Sequence, residues 1–435
     1  MMTKMERSRV NQLKAKEGQH VLVQGWVHEL RDQSKIKFIL VRDISGVVQC
    51  VVKNKELFNK FAELTPESVV SIEGEVKKAN VKSEEVTQKE IEIETHSLEI
   101  LSKAEALPIQ VVERGIPTNQ ALRLDNRFLD LRKPKIAAIF KVRSALSMGL
   151  REFLFANGFI EMHTPKIVGS GAEGGATLFA LEYFGKQAYL SQSQQLYKQM
   201  MNIAGYDRVF EIGPSFRAEK SHTIRHLTEF TQLDLEFSFI NDEDDIFKLQ
   251  ERMLVFLIEH TNKNCKTELE MLGVKNEAPK IPFPRITYDD GLKLLKEEGV
   301  NAKEIGQEEE RLLGEIVKKK HHTEAFFITK MPKKDVKFYA MVDGEYSRYG
   351  DLEYKNNELS SGGQREHRYE ILVKQIKEQG LNPKDFDYYT TPFKYGAPPH
   401  GGFGLGIDRL TQFILNLPNI RESVLFPRDT ERLMP

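Results

Sequence analysis

The chain has 435 residues, enough for two or three domains and a large core. Its 63 Lys+Arg against 64 Asp+Glu give a formal charge of −1, which excludes a globally polybasic protein and confines any nucleic-acid surface to a local patch. The two cysteines, Cys50 and Cys265, have neither metal-site nor disulfide-framework spacing, the charged first residues lack the apolar core of a signal peptide, and no run approaches a membrane span, so a cytoplasmic protein with no membrane segment is expected.

From about residue 18 to 103 the chain reads as a small β domain. Val21, Val23 and Trp26, then 38–41, 47–51, 69–76 and 91–100, are short β-rich runs, with turn residues such as Asp43-Ile44-Ser45-Gly46 between them. Five such runs predict a five-stranded barrel of the OB type, whose open face often binds single-stranded nucleic acid. Arg31, Phe38 and Gln49 offer a cation, a stacking ring and an amide for base edges, and Phe38 reads equally well as plain core. A linker follows, broken at Pro108, Pro117 and Pro134.

Helical spacing of Ile139, Val142, Leu146, Leu150, Phe153 and Leu154 predicts a helix over 136–157, stopped at Asn157-Gly158. A strand interrupted by proline follows at 159–165. The glycine-rich stretch 169–175 surrounds one carboxylate, Glu173, and lacks the Gly-Lys-Ser/Thr of a Walker loop. Residues 191–198 are polar: packed at a strand-to-helix junction they can orient a small polar ligand, and read alone they form a solvated turn.

Residues 209–239 read as two strands joined by a charged loop. Leu233, Leu235 and Phe237 alternate with Gln232, Asp234 and Glu236, the period-two pattern of a half-buried strand. Phe216 and Ala218 alternate with Arg217 and Glu219, placing both charges on one face. Together with Arg225 and His226 that face is costly to desolvate unless an anion sits on it. Guanidinium forks suit phosphate oxygens, and a carboxylate can accept from the amino group of a base. An exposed hairpin with solvated charges is the plainer alternative.

The stretch 241–337 says less: 242–245 reads as an acidic helix N-terminus, His321-His322 as a surface turn, and no HExxH or paired CxxC calls for structural zinc. Beyond it, 351–354 and 357–367 place a carboxylate, a hydroxyl and a guanidinium (Glu358, Ser361 and Arg365) within eight positions. Glycines at 401–406 lead into a helix carrying Arg409 in its first turn and an apolar stripe of Leu410, Phe413, Ile414 and Leu417. A dinucleotide-binding reading fails, because the third glycine of GxGxxG is missing and no βαβ unit surrounds it.

Taken together, the helix–strand–proline of 136–165, the FRAE and RHLTEF sequences with the loop between them, and 401–410 resemble motifs 1, 2 and 3 of the class II aminoacyl-tRNA synthetases. With an OB-like domain in front, the chain is similar to the class IIb group, and within it to the aspartyl enzymes of the compact archaeal and eukaryotic type, over essentially its whole length. The resemblance implies an α+β architecture: an anticodon-binding OB barrel at 1–103, a linker at 104–135, and at 136–435 a catalytic domain with an antiparallel sheet flanked by helices, dimeric through motif 1. It implies a ligase that converts L-aspartate and ATP to aspartyl-adenylate and passes the aspartyl group to tRNA-Asp, with Mg2+.

The resemblance also implies residue roles. Arg217 and Arg409 are the catalytic cations, Arg217 at the α-phosphate. Glu219 accepts from the adenine amino group, Phe230 and Arg409 sandwich the ring, Arg225 and His226 meet the outer phosphates, and Leu227 and Gly406 complete the ATP site. Glu358 and Ser361 are the expected Mg2+ contacts. Lys198 and Arg365 hold the substrate side chain, Glu173, Ser193 and Gln195 its ammonium end, and Arg217 and Ser361 border it. Lys198 separates the aspartyl from the asparaginyl pattern, the first alternative. A second alternative, a non-catalytic RNA-binding relative, would be expected to lose Arg217, Glu358 or Arg409, and all three are present. The one departure is Ile407-Asp408, where archaeal-type relatives commonly have Ala-Glu. Arg31, Phe38 and Gln49 stand at the anticodon-reading positions. His28 stands where members restricted to tRNA-Asp often carry tryptophan, which leads to the expectation that tRNA-Asn is charged as well.

Overall fold

The computed structural model describes residues 5–171, 177–220 and 223–434, and the chain divides into two compact units, Met1–Lys133 and Pro134–Pro435. In the first, β1 (His20–Gln33), β2 (Ile36–Asp43), β3 (Gly46–Val52), β4 (Val69–Lys78) and β5 (Ile91–Ser102) close into a barrel in the order β1-β2-β3-β5-β4. Closure removes the unpaired edges of an open sheet. Alternate residues, among them Val23, Ile39, Val48, Cys50, Ile72 and Ile93, fill its interior. The predicted turn forms because Asp43 Oδ1 accepts from the backbone N–H of Ser45 at 2.7 Å and of Gly46 at 3.1 Å. The segment read as a linker carries two short helices, Gln120–Asp125 and Arg127–Asp130, pinned by a buried Arg127–Asp130 ion pair at 2.7 Å.

The second unit opens on helix α1 (Pro134–Ala156), with proline at its start, where the missing N–H costs no intrahelical bond. Val142, Leu146, Leu150 and Leu154 on its inner face are fully buried, each contributing roughly 1.5–3 kcal/mol of transfer free energy. The helix ends where Gly158 takes a left-handed φ of 78°. Next come β6 (Ile160–Glu161), α2 (Gln195–Ile203), β7 (Arg208–Phe216), β8 (Glu229–Ser238), α3 (Asp244–Asn264), β9 (Arg285–Thr287), α4 (Gln307–His321), β10 (Ala325–Thr329), β11 (Tyr349–Tyr354), β12 (Glu358–Gln364), β13 (His400–Gly406) and α5 (Ile407–Ile414). The strands form one eight-stranded sheet in the order β9-β10-β11-β12-β13-β8-β7-β6. The six central strands are antiparallel to one another, whereas the edge strands β6 and β9 pair parallel to β7 and β10, so the sheet is mixed rather than wholly antiparallel. Helices α1 and α3 cover one face, where Leu233, Leu235, Leu352, Phe403 and Leu405 form the core.

Strand β8 is not half-buried: Gln232, Asp234 and Glu236 are as enclosed as the leucines between them, because α2 packs over the opposite face. That polar face is the floor of a cavity. The reading of 191–198 as a solvated turn is corrected as well, since every residue there except Tyr197 is buried. Arg217 and Glu219 lie just past the end of β7, although the Arg217 N–H still bonds Thr228 O at 2.9 Å and extends the ladder. Leu417 lies beyond the end of α5 and packs half-buried on the core. Among the described residues no helix is long and apolar enough to cross a membrane.

Candidate active site

Between the polar face of the sheet, the loop after β7 and the start of α5 lies a cavity of about 320 Å³. Strand geometry puts Phe230, Gln232 and Asp234 of β8 into it, and residues on both sides of the β7–β8 connection build one end. Arg217, Glu219, Arg225, His226, Leu227 and Phe230 all line that end. The Arg217 guanidinium sits 5.4 Å from the Phe230 ring centroid, and Glu219 lies 4.0 Å from both Arg217 and His226 Nε2. Thr223 Oγ1 is 2.6 Å from His226 Nδ1. Burial, with Arg409 nearby, pushes the His226 pKa down, which favours a neutral imidazole among the cations.

Gly406 and Arg409 form the facing wall, reached over the glycine-rich strand β13. A Cβ at Gly402 would collide with the Leu235 carbonyl and the Glu236 carboxylate, so only glycine permits this approach of β13 to β8. Arg409 Nη1 lies 3.2 Å from Glu358 Oε2. The neighbouring Asp408 binds Arg143 of α1 and accepts from the Thr231 N–H at 2.9 Å, while Arg143 Nη2 reaches Thr231 Oγ1 at 3.1 Å. One buried carboxylate thereby joins the residue before Arg409 to the residue after Phe230. The Asp for Glu departure leaves this carboxylate in place.

Beside Arg409 the carboxylates crowd. Ser361 Oγ donates to Asp351, and Glu358, Ser361 and Asp351 share the cavity wall. Burial and the Glu358 charge push Asp351 up to about 8, and the same two causes push Glu310, on α4, up to about 7. Glu353 is fully buried and shifted upward by its burial and by Glu310. Among the described residues no three His, Cys, Asp or Glu side chains are gathered so as to hold a metal ion by themselves. Two carboxylates and a hydroxyl on the wall of a cavity that three guanidinium groups also line instead suit Mg2+ shared with phosphate oxygens, and a divalent charge would relieve their crowding.

At the other end of the cavity stand Ser193, Gln195, Gln232 and Asp234. Lys198 and Arg365 lie just behind this wall rather than in it, both fully buried. Lys198 Nζ is 2.7 Å from Asp234 Oδ1, 3.4 Å from Glu236 Oε2 and 3.3 Å from Phe403 O. Arg365 bonds Glu236 at 2.8 and 3.2 Å and Gly402 O at 2.7 Å, and its guanidinium carbon lies 5.5 Å from the Tyr339 and Tyr349 ring centroids, beside the Tyr349 hydroxyl. A buried guanidinium with donor capacity that no protein carboxylate takes up is a place for an anionic oxygen. Glu173 lies outside the described residues. Asp351, Glu310, Glu353, Tyr339, Tyr349 and Lys337 were not singled out as site residues from sequence; the alternation Asp351-Leu352-Glu353 was a usable signal for two of them, and nothing local marked the others.

On the barrel, Arg31 and Phe38 are direct cross-strand neighbours, and Gln49 shares their outward face through its pairing with Leu40. Phe38 is half-buried there. Arg31 bonds Glu29 at 2.8 Å and Ser83 at 2.9 Å, and Gln49 bonds Glu92 at 2.9 Å. His28, also expected among the anticodon-reading residues, is not on that open face: its ring is buried, 3.0 Å from Glu85 and 2.9 Å from Arg42, which in turn holds Glu67 through two bonds.

Comparison with known proteins bears on both units. A family model described as tRNA synthetases class II (D, K and N) matches residues 119–430, and one described as OB-fold nucleic acid binding domain matches 21–101. The chain is 45% identical over 432 residues to the aspartate–tRNA(Asp) ligase of Pyrococcus abyssi, covering 96% of this chain and 97% of that one. It is also 45% identical over 429 residues to the aspartate–tRNA(Asp/Asn) ligase of Methanopyrus kandleri, covering 97% of each. Among solved structures, asparaginyl-tRNA synthetase of Pyrococcus horikoshii with asparaginyl-adenylate superposes with a TM-score of 0.90 at 36% identity, covering 99% of this chain and 100% of that one. Aspartyl-tRNA synthetase of Entamoeba histolytica superposes at 0.89 and 31% identity, covering 100% and 94%.

Proposed function

The chain belongs to the class II aminoacyl-tRNA synthetases of the aspartate, asparagine and lysine group, and on that footing we propose that it is an aspartate–tRNA ligase charging tRNA-Asp and tRNA-Asn. The observation that carries the choice of amino acid is the buried quartet Lys198, Asp234, Glu236 and Arg365 behind the cavity wall. Its two cations balance its two carboxylates, and Arg365 Nη1 faces away from Glu236 with donor capacity that no protein carboxylate takes up. An aspartate side chain brings the carboxylate that such a donor lacks, whereas an asparagine amide would also have to place a donor of its own. Amino-acid-dependent exchange of pyrophosphate into ATP tests the assignment, since only the cognate amino acid supports it.

In the proposed reaction the aspartate α-carboxylate oxygen attacks the α-phosphorus of ATP, and the bond to the bridging oxygen breaks to release pyrophosphate. The tRNA 3′-hydroxyl oxygen then attacks the carbonyl carbon of the adenylate, its proton passes to the departing phosphate side, and AMP leaves. Neither step needs a protein nucleophile, so positioning and charge stabilisation dominate. Arg217 meets the charge that develops on the α-phosphate oxygens. Phe230 and Arg409 hold the adenine from its two faces, Glu219 accepts from its amino group, and Arg225 and His226 meet the outer phosphates. Asp351, Glu358 and Ser361 would hold Mg2+, which when bound neutralises phosphate charge.

A homodimer is part of the proposal. Met148, Phe155 and Ile160, on α1 and the strand after it, stand about half exposed, an apolar strip that a second copy would cover.

A further inference from the structure

A run of hydrogen bonds behind the cavity wall decides which end of the Gln195 amide faces the cavity. It begins at the backbone. His400 Nδ1 lies 2.8 Å from Pro398 O, which can only accept, so Nδ1 carries a proton. The ring is wholly buried, and burial pushes its pKa down, so the imidazole is neutral and Nε2 is an acceptor. Gln199 Nε2, 2.9 Å away, donates to it. Gln199 Oε1 then points the other way, receiving the Tyr389 hydroxyl at 3.0 Å and Gln195 Nε2 at 2.8 Å. Gln195, Gln199, Tyr389 and His400 are all buried, and turning either amide over would set donor against donor or acceptor against acceptor in the interior. With its Nε2 bound to Gln199, Gln195 presents its carbonyl oxygen to the cavity it lines.

Neither Gln199 nor His400 lines that cavity. We propose that they are positioning residues for the substrate's ammonium group: the neutral His400 tautomer, relayed through Gln199, holds Gln195 Oε1 as an acceptor aimed at that cation. The inference rests on the reading of this cavity as the amino-acid site. An oxygen held in place attracts an ammonium group, whereas the amide turned over would present N–H donors to it. The relay therefore sets the preference for aspartate over succinate, which is aspartate without its amino group.

The test compares the full-length parent with Gln199→Met and Gln199→Glu, measuring in pyrophosphate exchange the KM for aspartate, the inhibition constant of succinate and the KM for ATP. Methionine keeps the length of the side chain without an acceptor; glutamate keeps acceptor oxygens for Tyr389 and Gln195, and one proton shared between its other oxygen and His400 Nε2 replaces the lost amide donor. Gln199→Met is expected to reduce the aspartate-over-succinate preference about tenfold, the scale of one hydrogen bond to a charged group, with the ATP KM unchanged. Gln199→Glu is expected to retain the preference within about threefold. Equal loss for aspartate and succinate, or an unchanged preference in Gln199→Met, overturns the relay. His400→Leu gives the same expected loss, and keeps the question decidable if Gln199→Met does not fold. A parent that uses another amino acid would instead overturn the functional reading, and the same comparison with that amino acid and its deaminated acid then decides the relay separately.

Discussion

Lys198 Nζ and Asp234 Oδ1 stand 2.7 Å apart in a site closed to solvent, so the lysine that distinguishes an aspartate pattern already has an anionic partner before any substrate arrives. The pair keeps two charges from standing alone in the interior, and it holds Asp234 at the cavity wall beside Gln232. Lys198 thus acts on a ligand through its neighbours as well as through its charge.

Replacing Lys198 by leucine is expected to weaken aspartate use far more than ATP binding, and to destabilise the fold by about 3–5 kcal/mol, because Asp234 is left buried and unpaired. Adding Asp234→Asn should recover much of the stability and none of the aspartate use. Steady-state kinetics with thermal unfolding check both parts; an unchanged KM and kcat for aspartate in Lys198→Leu would show that the quartet does not serve the amino acid.

Arg217→Ala is expected to lower adenylate formation by about 10²–10³ while leaving the fold intact, the usual loss for one donor aimed at transition-state charge. The guanidinium stacks near Phe230 at the mouth of the cavity and forms no part of the core. Exchange activity within about threefold of the parent, in a folded variant, would contradict its placement at the reacting phosphate.

That Arg217, Arg225 and Arg409 gather at one cavity was legible in the sequence, because local pattern could place them on strand ends and a helix start. The barrel was legible as well: alternation fixes which residues point inward, while the pairing of Arg31 with Phe38 follows from the β1–β2 turn register. The amino-acid end was less so. Period-two alternation separates apolar from polar faces, but cannot say whether the polar face meets water or a second layer of protein, as Gln232, Asp234 and Glu236 do; nor does the polarity of 191–198 show that the run is covered. His28 shows the same gap, since its burial depends on Arg42, Glu67 and Glu85, which come from other parts of the chain. The relay through Gln199 and His400 joins residues 201 positions apart and left no local signal.

The apolar strip of Met148, Phe155 and Ile160 predicts a homodimer at micromolar concentration. Sedimentation velocity on the full chain checks it, and a species of monomer mass alone, 50.1 kDa, would contradict it.

In the barrel, His28 uses both ring nitrogens, one toward Glu85 and one toward Arg42. An indole in its place has a single N–H and cannot make both contacts. This account expects the protein to aspartylate transcripts of tRNA-Asp and tRNA-Asn with a preference below about 10²-fold, and His28→Trp to raise that preference. A preference for tRNA-Asp above about 10²-fold in the parent, roughly 3 kcal/mol, would contradict it.

The assignment of the amino acid is tested most directly by pyrophosphate exchange run with aspartate, asparagine and lysine in parallel at saturating ATP and Mg2+. Exchange with aspartate alone is the predicted result. Exchange supported by asparagine or lysine in preference to aspartate would contradict the reading of the Lys198, Asp234, Glu236 and Arg365 quartet.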